Sequence, residues 1–139
     1  MGESKFELLY KDLGKAIQSS NAALSQTLID FNPVTIDLIL NGRVQKFEYN
    51  IELLWKTIKA YFAEGRSIDI IYPKEVFKRY FEEESISEEI YLVLLDALKS
   101  RNALSHIYKE EIFIEIQPKL KDYAAAIEAT YKTLKLSAI

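Results

Sequence analysis

The chain has 139 residues, with one histidine, one methionine and no cysteine. That excludes disulfides, thiolate catalysis and cysteine-based zinc sites, and it excludes a His-rich metal site within one chain. A net charge of −3 and a pI near 5.3 exclude general adhesion to nucleic acid, which needs a basic surface, and leave room only for a local basic patch.

Four glycines and three prolines are too few for the turns of an all-β fold, while Leu, Ile, Lys, Glu and Ala favour helix. One domain over residues 1–139 is expected, large enough for a hydrophobic core. The opening Met1-Gly2-Glu3-Ser4-Lys5-Phe6 reads as no signal peptide, because an acid comes early and no apolar stretch follows. Phe6 also stands where a myristoylation signal has Ser or Thr. Phe6, Leu9, Leu13, Ile17, Ser20, Leu24 and Leu28 then recur three or four apart, predicting an amphipathic helix of about six turns.

Asn32-Pro33 reads as an N-cap followed by proline at the first helical position. It opens a second helix, with an interruption or bend expected at Asn41-Gly42. This helix carries one stripe of Phe47, Ile51, Leu54, Trp55, Ile58 and Phe62 and a second of Tyr49, Leu53 and Tyr61. Two stripes predict contact with more than one neighbour. Gly65 is the expected left-handed stop. The piece from Ser67 to Tyr72 is strand-like but has no partner, and it reads as an extended connection.

Pro73 opens a short helix with Val76, Phe77 and Tyr80 inward, ending at Glu82-Glu83-Glu84. Ser85-Ile86-Ser87-Glu88 resembles a capping box. The run from Ile90 to Leu98 is apolar nearly all round, so it is expected at the centre of the bundle or in a subunit interface. It is too short to span a bilayer. From Lys109 to Leu136 the helical spacing of Leu120, Tyr123, Ala124, Ile127, Tyr131 and Leu134 resumes, with Pro118 marking a kink or fresh start. The expected fold is all-α, an up-and-down bundle of about five helices. A cytoplasmic location is expected, since cysteine-free composition fits a reducing compartment.

The chemistry-bearing stretch is Arg101-Asn102-Ala103-Leu104-Ser105-His106-Ile107-Tyr108. His106 is the only side chain whose ordinary pKa lies near neutrality. Arginine with histidine and no metal suffices for RNA cleavage: a base takes the proton of a 2′-hydroxyl, and a fixed cation stabilises charge on the attacked phosphate. One histidine cannot easily be both base and acid, so a symmetric dimer sharing a cleft would help. On residue types and spacing alone, the plainer reading is a histidine at a helix C-terminus, favoured there by the macrodipole. Glu48 and Glu52 could hold a cation, or Glu52 could answer Lys56 one turn on. No Walker lysine, Gly-rich phosphate loop or paired aspartates of a transferase are found, so the chain is not itself a nucleotidyltransferase.

The Arg101-Asn102-x-x-x-His106-x-Tyr108 pattern resembles the signature of the HEPN superfamily. Upstream, Gln45-Lys46-Phe47-Glu48-Tyr49-Asn50-Ile51-Glu52-Leu53-Leu54-Trp55-Lys56-Thr57-Ile58-Lys59 resembles the second signature of its nucleotidyltransferase substrate-binding branch, and Pro73-Lys74-Glu75-Val76 sits where that branch has its third helix. The resemblance implies a homodimeric helical bundle that partners a minimal nucleotidyltransferase. It also implies one of two roles. The first is a metal-independent endoribonuclease toxin, with Arg101 stabilising phosphate charge, His106 as base or acid and Asn102 orienting one of them. In that version Tyr108 is the residue the transferase adenylylates. The second is a non-catalytic adaptor that binds the transferase and its nucleotide or substrate. Neither implies a cofactor, a metal or a membrane. RNA would meet a local patch of Lys99, Arg101, Lys109 and Lys119.

Overall fold

Six α-helical segments and one 3-10 turn make up the secondary structure of the computed structural model, which describes the backbone of residues 2–106 and 109–138 and the side chains of 2–105 and 110–134. No strand occurs among the described residues, so the all-α expectation holds. The first helix, α1, runs Lys5–Ser25, and the Ser4 hydroxyl caps it by accepting from the Glu7 N–H at 3.1 Å. It buries Leu13, Ala16, Ile17 and Ser20, as its spacing predicts, and it stops one turn before Leu28.

The second helix, α2, is Pro33–Arg66, capped by Asn32, whose side chain accepts from Thr35 N–H at 2.8 Å. The interruption expected at Asn41-Gly42 does not occur. Asn41 turns its amide back on its own helix, donating to the Asp37 carbonyl at 2.8 Å, and Gly42 keeps helical backbone. A single glycine costs a helix only about 1 kcal/mol, less than the packing of a 34-residue helix supplies. The stop also lies further on than expected. Gly65 remains helical, and the left-handed residue is Ser67 with φ of 54°.

An extended connection follows, with Ile70 tucked into the core and Ile71 and Tyr72 exposed. The third helix, α3, covers Pro73–Glu82 and buries Val76, Phe77 and Tyr80. The fourth, α4, covers Glu88–His106. Its capping oxygen comes from Ser87, which accepts from Ile90 N–H at 3.2 Å, rather than from Ser85. Pro118 proves a fresh start: α5 (Lys109–Ile116) gives way to a 3-10 turn at Gln117–Lys119 and then α6 (Leu120–Ala138).

Two helices share the centre: α2 packs against α1, α3, α4 and α6, and α4 packs against α2, α3, α5 and α6. The Ile90–Leu98 stretch is therefore central, as expected, but it is not covered on every side. Leu94, Ala97 and Leu98 are buried, but Leu92 is 53% exposed, so α4 keeps an apolar outer side. The second stripe of α2 is also largely consumed within the chain. Leu53 is buried, and the Tyr61 ring packs against Phe6, Phe62 and Tyr80, leaving Tyr49 open. Buried Asn50 ties α2 to α1 by donating to the Ala16 carbonyl at 3.1 Å, and it also donates to the Lys46 carbonyl of its own helix at 2.8 Å. Close approach of α1 and α6 requires Gly14, because a Cβ there would lie 2.7 Å from the Tyr131 hydroxyl.

Candidate functional site

The last two turns of α4 place Arg101 and Asn102 on the wall of one groove, together with Lys99 from the same helix. Glu52 from α2 and the Tyr72-Pro73-Lys74 entry to α3 complete it, over a floor that includes Leu92, Leu95 and Leu98. The groove has a volume of about 660 Å³ and opens to solvent. Asn102 is exposed at its rim.

Arg101 is not free-standing. Its guanidinium Nη2 lies 2.8 Å from Glu52 Oε1 in an ion pair, with the two side chains 33% and 24% exposed. The other oxygen of Glu52 accepts from the Trp55 indole at 3.2 Å and lies 3.8 Å from Lys56 Nζ. The i, i+4 answer of Lys56 to Glu52 is therefore present, but it is the weaker of two cationic contacts. Arg101 Nε is buried with no hydrogen-bond partner, so this guanidinium is held on one side and unsatisfied on another.

A second carboxylate, Asp96, also lines the groove. Tyr123 from α6 donates to Asp96 Oδ2 at 2.5 Å, Ser100 completes the chain with a 2.8 Å hydrogen bond to Tyr123, and Lys119 Nζ stands 3.6 Å from the same carboxylate oxygen. Burial, with the hydrogen bond to Asp96 behind it, holds the Tyr123 hydroxyl above the usual tyrosine range and keeps it protonated. Lys119, expected in the basic patch, is thus engaged with Asp96.

Of the four residues singled out in the sequence, Arg101 and Asn102 share this groove. His106 is the last residue of α4, and its side chain lies outside the described residues, as do Tyr108 and the side chain of Lys109. Ser105 faces away, into a separate groove with Gln45, Glu48 and Phe113. Sequence reasoning missed Glu52 as the partner of Arg101, and it missed Tyr72 and Lys74 as wall residues. The Glu52-to-Lys56 spacing offered a local partner that concealed the tertiary one. Among the described residues no three metal-ligating side chains come together, and no helix is long and apolar enough to cross a membrane.

Comparison with known proteins gives a family and a fold. The family model for nucleotidyltransferase substrate binding protein like proteins matches residues 5–136. The fold is similar to the crystal structure of a protein from Thermus thermophilus, with a TM-score of 0.74 and 26% identity over 88% of this chain and 98% of that one. No curated protein matches significantly.

Proposed function

Because the chain belongs to the nucleotidyltransferase substrate binding protein like family, we propose that it is the partner subunit of a nucleotidyltransferase. It presents a nucleic-acid or nucleotide substrate rather than transferring a nucleotide itself. The observation that carries this reading is the groove at Arg101 and Asn102, where a guanidinium one-third exposed lines an open, substrate-sized space. Co-purification of a tagged chain with a co-expressed minimal nucleotidyltransferase is the expected outcome. A transferase that elutes alone overturns the reading.

The finer reading is a metal-independent endoribonuclease, the toxin of a toxin–antitoxin pair. His106 takes the proton of a 2′-hydroxyl, whose oxygen attacks the neighbouring phosphorus. The bond to the 5′-oxygen breaks, and a second acid protonates that oxygen, leaving a 2′,3′-cyclic phosphate. Arg101 stabilises the charge that builds on the phosphoryl oxygens, and Asn102 orients the phosphate or the imidazole. A homodimer supplies the second acid from His106 of the other copy in a shared cleft. Adenylylation of Tyr108 would transfer AMP from ATP to the phenolic oxygen with release of pyrophosphate. The added charge and bulk would compete for Arg101. Purified chain should then cleave RNA in EDTA, His106→Ala and Arg101→Ala should each lose at least about 100-fold in rate, and Tyr108→Phe should block an added AMP mass while keeping cleavage.

One observation favours the alternative of a non-catalytic adaptor. The Arg101 guanidinium already pairs with the Glu52 carboxylate, so a phosphate must share or displace that partner. An intact RNA substrate after incubation with the parent chain selects the adaptor.

A further inference from the structure

The groove beside Arg101 carries more recognition chemistry than a single phosphate contact needs. Its acids are already engaged, Glu52 by Arg101 and Trp55, and Asp96 by Tyr123 and Lys119. Its other two cations, Lys74 and Lys99, have no ion-pair partner among the described residues. The groove therefore presents unneutralised positive charge on a chain whose net charge is −3. Beside those lysines stand two large apolar side chains left open to water, Tyr72 at 63% and Leu92 at 53%. Exposed aromatic area next to free ammonium groups matches a ligand with a flat π-face and a phosphate. A volume of about 660 Å³ is of the size that holds one nucleotide.

We propose that this groove is a nucleotide subsite, in which an unpaired base lies against Tyr72 and Leu92 while the flanking phosphates meet Lys74, Lys99 and Arg101. The ligand class is a nucleoside phosphate, either free or within a single strand, because a base locked in a duplex has no face to offer a groove wall. Recognition by stacking is tolerant of base identity, so the subsite sets where the chain is held rather than which sequence is chosen. The inference rests on the proposed substrate-binding role and does not require cleavage.

The test is binding to the full-length parent chain of a fluorescein-labelled single-stranded oligoadenylate about ten nucleotides long, within the span that one binding groove tracks, with ATP as competitor. Trp55, the only tryptophan, donates to the carboxylate that holds Arg101, so its emission reports occupancy without a label. Tyr72→Ala should weaken binding about tenfold and Tyr72→Phe should restore it to within about twofold, since the ring and not the hydroxyl stacks. Joint replacement Lys74→Ala and Lys99→Ala should weaken binding and flatten the dependence of log affinity on log salt by about 1.4, from two lost single-strand phosphate contacts. Tyr72, Lys74 and Lys99 are all exposed, so circular dichroism should stay at the parent value. Competition by ATP supports the subsite with free nucleotide as a ligand, and binding of the oligomer without competition supports it with the strand as the ligand. Parent-like binding by Tyr72→Ala and by the double lysine variant overturns the subsite while leaving the substrate-binding role intact. A parent chain that binds neither probe overturns the subsite, while co-purification with the transferase separately decides the partner role.

Discussion

At the scale of single residues, Glu52 stands where three side chains meet: Arg101 at 2.8 Å, the Trp55 indole at 3.2 Å and Lys56 at 3.8 Å. Removing it strands a guanidinium that is only one-third exposed, whereas removing Lys56 breaks only a solvated i, i+4 pair. Glu52→Ala should therefore lower stability by about 1–2 kcal/mol, discounted from the fully buried case for partial solvation. Lys56→Ala should cost no more than about 0.5 kcal/mol, both read from urea midpoints. Gly14 gives a second contrast. Alanine is the better helix former, yet a Cβ there meets the Tyr131 hydroxyl at 2.7 Å, and that ring is pinned by stacking on Tyr10 with centroids 4.8 Å apart. Gly14→Ala should destabilise by about 1–2 kcal/mol, and adding Tyr131→Phe should recover part of the loss. The tyrosines also set a pH limit. Desolvation first, then hydrogen bonding, raises both Tyr10 and Tyr123 above the ordinary value of 10.0. A folded-state value raised above the unfolded one means this contribution is complete below about pH 10 and is lost as pH rises through and beyond it. Thermal midpoints should fall above about pH 10, and less steeply in Tyr123→Phe.

At the scale of helices, the local punctuation does much of what the sequence promises. Asn32 caps α2 through its side-chain oxygen as expected, and Ser4, which the sequence reading did not single out, does the same for α1. Asn32→Ala should cost about 1 kcal/mol, read as a lowered urea midpoint. Gly42 is the reverse case, since it looked like a break and lies inside an unbroken helix with nothing within 4 Å of an added Cβ. Gly42→Ala should stabilise the chain by about 0.5–1 kcal/mol, seen as a raised midpoint in thermal unfolding. These boundaries were legible because caps and prolines act over three or four residues. Gly42 misled because a glycine's cost is local while the packing that outweighs it is not.

For the whole molecule, the long α2 is the axis on which α1, α3, α4 and α6 assemble, and the apolar character of α4 is only half used inside the chain. Outside the groove, Val34 and Leu38, one turn apart on α2, also stay open. Exposed apolar surface of this kind favours association. Sedimentation should therefore give a species of twice the 16.1 kDa chain mass at micromolar concentration, and a purely monomeric profile would remove the shared cleft from the cleavage mechanism. The groove at Arg101 also belongs to this scale, because its walls come from α2, the α3 entry and α4.

Helix content, most of the inward residues and the Arg101-Asn102 pairing on one segment were determined by the sequence itself, since helical periodicity and capping depend on neighbours a few residues away. Leu13, Ile51, Leu54, Val76, Phe77 and Leu134 are all buried as their spacing predicts. Only the tertiary structure decided that α4 shares the centre with α2 while leaving Leu92 open, because burial depends on which neighbours a helix acquires and not on how apolar it is. It alone joined Glu52 of α2 to Arg101 of α4 and set Tyr72, Lys74 and Lys99 around one space. Long-range pairs leave no periodic trace in a chain: a carboxylate with a lysine one turn away looks satisfied until packing brings it a guanidinium at closer range.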